Sequence, residues 1–147
     1  MKDDDRGLMA FGTALALGYL VFGALEVMGG IGLNGEWLDT LYVKGSVMDG
    51  AVLLVIGAVL AFAWTEKEGR SAFVLVGMAL GLMFLAIYLV LMGADLLSLL
   101  VFGTEHVEGW TLGEGIRPGI YLGLMAAAGG LAWRKRLSLG RLSRAGA

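Results

Sequence analysis

Cysteine is absent from the 147 residues, proline and histidine occur once each, and only 16% of positions are charged. Without cysteine there are no disulfides, thiolate metal sites, iron–sulfur clusters or thiol nucleophiles. The lone His106 rules out a multi-histidine centre within one chain. A phosphate-binding glycine loop, a nucleophile elbow, a His-Glu-x-x-His pair and nucleic-acid motifs are missing too. The sequence therefore points to no cofactor, no catalytic residue and no nucleic-acid partner.

What fills the chain instead is apolar. Hydrophobic residues make up 58%, with a mean hydropathy of +0.79, whereas soluble domains average about 45–50% apolar and about 25% charged. The apolar residues are gathered into runs, and a bilayer core of about 30 Å takes roughly 20 helical residues to cross. These runs predict an integral membrane protein with the lipid bilayer as its first partner. The first span is read from Leu8 to Ile31, broken only by Glu26, and the second from Val47 to Trp64. The third runs from Ala72 to Phe102 with Asp95 inside it, and the fourth from Pro118 to Trp133. Pro118 suits a helix start, where its missing N–H is not needed.

Charge sets the expected orientation. The N-terminus, the turn Thr65–Ser71 and the segment after Trp133 hold Lys2, Arg6, Lys67, Arg70, Arg134, Lys135, Arg136, Arg141 and Arg144. The connections Asn34–Ser46 and Gly103–Arg117 hold only Lys44 and Arg117. By the positive-inside rule this predicts a multi-pass protein of the cell membrane with both termini cytoplasmic. The start, MKDDDR, is too acidic for a secretory leader and is read as a retained tail. Residues 134–147 are read as a basic cytoplasmic tail.

A repeat runs beneath this pattern. Tyr19–Glu26 (YLVFGALE) returns as Tyr88–Asp95 (YLVLMGAD), and with no gap residues 7–64 overlay 76–133. Identities include Met9/Met78, Gly12/Gly81, Glu36/Glu105, Gly50/Gly119, Leu122/Leu53 and Trp64/Trp133, where composition alone would give about five in all. Each unit holds two spans, so both copies enter from the same side. The expected architecture is thus all-α: one membrane domain over 1–147, a four-helix bundle of two tandem transmembrane hairpins in a parallel repeat. Small-residue stripes (Gly119/Gly123/Ala127, Gly77/Gly81, Ala10/Ala14/Gly18) predict close packing within the bundle, or against another copy or a larger membrane subunit.

Two constellations are candidates for chemistry. Tyr19 and Glu26 lie two helical turns apart on one face, as do Tyr88 and Asp95. An acid in a span faces a partner, a cavity or an ion path, so these four are candidate ion- or ligand-binding residues. Asp49 and Arg117, each near the start of a returning span, are added to them as a conceivable pair. In the outer connections Glu36, Asp39, Glu105, His106 and Glu108 form a second, oxygen-rich set for a divalent metal such as Ca²⁺ or Mn²⁺. On the outer half eight acids face two bases, a balance that concentrates cations. The leading expectation is a small polytopic protein that binds or conducts a cation, proton or small polar solute through an outward-facing acidic cavity. The alternative is a non-catalytic accessory subunit of a larger membrane complex. A membrane enzyme acting on lipid or quinone is the third and weakest reading.

Overall fold

A computed structural model describes residues 3–33, 35–66, 69–102 and 115–145, and the side chains of those from Arg6 to Trp133. The described residues contain helices and no strand. The helices are α1 (Asp3–Gly30), α2 (Glu36–Thr40), α3 (Val47–Thr65), α4 (Arg70–Phe102) and α5 (Pro118–Ala145). Three are long and apolar enough to cross a membrane: α1 from Arg6 to Gly30, α3 and α4. The apolar part of α5 stops at Trp133, giving about 24 Å at 1.5 Å per residue. Among the described residues, then, three spans meet the length criterion where four were expected.

The helix ends follow local sequence. At the end of α1 the amide of Gly32 donates to Gly29 O and that of Leu33 to Met28 O, with Gly32 at φ +89°. That is a Schellman closure, and glycine suits its left-handed position. The same pair of bonds closes α2, from Tyr42 to Asp39 O and from Val43 to Leu38 O. There the left-handed residue is Tyr42, at φ +57°. Ser46 begins α3 by accepting from the Asp49 amide at 3.2 Å, a side-chain N-cap.

The structure differs from the sequence reading in two local respects. The connection between α1 and α3 contains α2, which tucks Leu38 and Val43 inside. Nor does α5 stop where the apolar run ends at Trp133: it continues through the basic stretch to Ala145.

Packing follows small residues. α1 lies along α3 and α4 along α5; α3 also meets α4, and α5 returns to touch α1. At the α1–α3 seam a Cβ on Gly50 would sit 2.7 Å from Gly23 O and from Val27 N. The two backbones approach to a distance only glycine permits, which makes dispersion and Cα–H···O contacts available. Gly123 performs a like service against Leu85 of α4. A Cβ on Gly130, by contrast, would meet nothing within 4 Å. The main core gathers Leu15, Tyr19, Leu53, Ile56, Leu60, Val74, Met78 and Leu122, and a smaller cluster joins Leu85, Tyr88 and Ile120. Val21, Val55, Phe62, Val76, Val90 and Leu100 face outward instead. An exposed apolar surface on this scale marks an interaction surface, of which a lipid bilayer is one.

Candidate functional site

The chemistry-bearing residues collect at one end of the helices, where α1 finishes and α3 and α5 begin. Glu26 lies four residues before the last residue of α1 and is fully buried. Its Oε2 accepts from the amides of Gly45 at 2.8 Å and Ser46 at 3.0 Å, and its Oε1 from Lys44 at 3.4 Å. These amides precede α3 and would otherwise lack partners, since a helix's first N–H groups have no carbonyl to reach. A carboxylate in such a nest of amides satisfies them and is satisfied in turn. Gly45 makes the turn possible: its φ is +72°, and a Cβ there would fall 2.7 Å from the backbone carbon of Gly29. Glu26 is thus the anchor of the α1–α3 connection, with its acceptor oxygens already engaged.

Asp49, one turn into α3, organises a second cluster. Its Oδ1 accepts from the Tyr88 hydroxyl of α4 at 3.1 Å, and its Oδ2 from Nη1 of Arg117, the residue before α5. One carboxylate ties together segments 39 and 68 residues away in sequence. The pair is partly open to solvent, with side-chain exposures of 40% for Arg117 and 20% for Asp49. It borders a cavity of about 380 Å³ whose lining also includes Lys44, Leu91, Met92 and Asp95.

Four of the six expected ligand-binding residues, Asp49, Tyr88, Asp95 and Arg117, therefore meet at one cavity. The other two do not join them. Glu26 is held by its amides, and Tyr19 is buried with its hydroxyl unpartnered, packed where a Cβ on Gly81 would strike it at 2.5 Å. Nor does either tyrosine bond the acid two turns along its own helix: Tyr88 turns to Asp49, and the Asp95 side chain is exposed. Lys44 was not foreseen as a cavity residue. Its signal was the Lys-Gly-Ser sequence before a helix start, in which the glycine bends the chain and carries Lys44 with it.

Among the described residues the lining is balanced in charge. Asp49 and Asp95 are matched by Lys44 and Arg117, with one phenol and two apolar side chains between them. Of the expected metal set, Glu36 and Asp39 border a separate shallow pocket beside Lys44. Glu105, His106 and Glu108 lie outside the described residues. Among the described residues no group of three His, Asp or Glu is placed to hold a metal. No family model matches the chain, and neither a curated protein nor a solved structure is significantly similar to it.

Proposed function

We propose that the chain is a small multi-pass membrane protein whose cavity beside Asp49 and Arg117 binds a small polar solute. The observation that carries this is the three-way junction of Asp49, Tyr88 and Arg117 on the wall of a cavity of about 380 Å³. A charged group near an apolar bundle is costly to place and marks a site by default. Binding pockets pair an apolar wall with a few convergent polar groups, and Leu91 and Met92 supply that wall here. The matched charges of the lining favour a polar solute over the bare cation expected from an acidic mouth.

In this reading α5 completes a four-helix transmembrane bundle, its short apolar stretch extended by the basic residues that follow. The two helical pairs, α1 with α3 and α4 with α5, descend from a duplicated hairpin, and the cavity opens on the outer face. The sequence repeat and the distribution of basic residues support this arrangement. The accessory-subunit reading has only the exposed apolar surface in its favour, and lipid covers that surface equally well.

The test is a melting-temperature screen of the purified chain in detergent against small polar solutes. Leu91→Trp serves as control, filling the cavity from an exposed position. A solute that stabilises the wild type and not the filled variant upholds the proposal. Equal responses in both remove it. A stoichiometric partner retained through mild purification, with no solute response, would favour the accessory role.

A further inference from the structure

Among the described residues the cavity lining has four that are charged, and they are not equally committed. Asp49 is engaged at both oxygens, by Tyr88 and by Arg117. Arg117 gives Asp49 only its Nη1, and the rest of its guanidinium makes no hydrogen bond to the described residues. A guanidinium carries five donors in a planar fork suited to a carboxylate or phosphate. The ion pair fixes that fork in place without exhausting it. Lys44 enters through its backbone amide, held by Glu26, and its side chain forms no ion pair among the described residues. Asp95 forms none either.

Among the described residues a single cavity thus presents uncommitted cationic donors, from Arg117 and Lys44, and one acid outside any ion pair, Asp95. A solute with one charge satisfies one side and leaves the other to water. A simple anion is attracted by Arg117 and Lys44 and repelled by Asp95; a simple cation meets the reverse. Only a molecule carrying both signs draws on every uncommitted group.

We infer that the ligand of this cavity is a zwitterion, a small molecule with a carboxylate or phosphate group and an ammonium group. Its anionic end lies on Arg117 and Lys44, its cationic end on Asp95, and its carbon skeleton against Leu91 and Met92. This rests on the solute-binding reading above and narrows it to a chemical class. That chemistry has two sources: a free amino-acid-like solute and the headgroup of a phosphatidylethanolamine lipid.

The test uses the full chain in detergent with four probes: glycine, phosphoethanolamine, acetate and methylammonium. The two zwitterions should raise the melting temperature saturably, while acetate and methylammonium at equal concentration do not. Asp95→Asn changes an exposed side chain that makes no ion pair among the described residues. It should weaken zwitterion binding on the order of tenfold and, by removing a like charge, leave acetate binding no weaker than in the wild type. Nanodiscs separate the sources. A glycine response suppressed in phosphatidylethanolamine relative to phosphatidylglycerol assigns the site to the lipid headgroup, and an equal response in both assigns it to a free solute. If acetate or methylammonium alone matches the zwitterions, the inference falls while the solute-binding reading stands. If none of the four stabilises the chain, the inference falls, and the solute-binding reading is decided by its own wider screen.

Discussion

Asp49 of α3 and Arg117 at the start of α5 form an ion pair that bridges the first two long helices to the last two. Because both side chains are partly exposed, solvent screens them, and partly exposed pairs contribute roughly 1 kcal/mol or less. Their effect is to fix which helix ends face each other. A double-mutant cycle with Asp49→Asn and Arg117→Gln should therefore give a coupling of about 1 kcal/mol in unfolding titrations in mixed micelles. Zero coupling would mean the two ends are held by packing alone.

Glu26 and Asp95 each follow a tyrosine by seven residues in an apolar helix, and they should respond differently to neutralisation. Glu26→Gln puts an amide NH₂ among three backbone donors, where one oxygen must do the work of two. A buried amide left without an acceptor costs about 1–3 kcal/mol, and the melting temperature should drop accordingly. Asp95→Asn should leave it within error. Equal losses in both variants would contradict the structure.

The two buried tyrosines make a second contrasting pair. Tyr19 keeps a hydroxyl with no partner in the core, whereas Tyr88 donates its own to Asp49. Tyr19→Phe removes an unsatisfied donor and should be neutral or stabilising by about 1 kcal/mol. Tyr88→Phe should cost about 1 kcal/mol. Chemical denaturation of both proteins, run side by side, reads the difference in sign.

Glycine substitutions report on the α1–α3 seam. Gly50→Ala places a methyl group 2.7 Å from the backbone of α1, and forcing extra volume into a packed interface costs typically about 1–3 kcal/mol. Gly130→Ala, with open space around it, should gain a few tenths to about 1 kcal/mol from helix propensity. Thermal unfolding of the two variants should move in opposite directions.

Much of the helical layout could be read from the chain because it depends on apolar runs and glycine spacing, both local properties. The polar residues were harder, for a physical reason. Glu26 and Asp95 look alike in sequence, an acid seven residues after a tyrosine in an apolar helix. What separates them is the chain that returns beside each. Lys44–Ser46 folds its amides onto Glu26, whereas Asp95 is exposed at the cavity. Such a nest has no side-chain signature beyond Gly45. The Asp49–Arg117 pair was legible only as two opposite charges near helix starts. Its third member, Tyr88, shares a helical face with Asp95 in the sequence, but three helices meet around it and its hydroxyl reaches Asp49 instead. The helical continuation of α5 past Trp133 was hidden by the basic residues, which read as a membrane exit and say nothing about where the helix stops.

The capture of Glu26 by Lys44, Gly45 and Ser46 bears on how the chain is made. When α1 leaves the ribosome, its carboxylate has no partner, because the amides that receive it belong to residues 18 to 20 positions later. A membrane-inserted α1 would carry an uncompensated acid until those residues are synthesised and the turn at Gly45 closes. The first helix and the third therefore mature as a couple during biogenesis, and lengthening the segment between them should delay the moment at which the nascent protein becomes resistant to extraction from the bilayer.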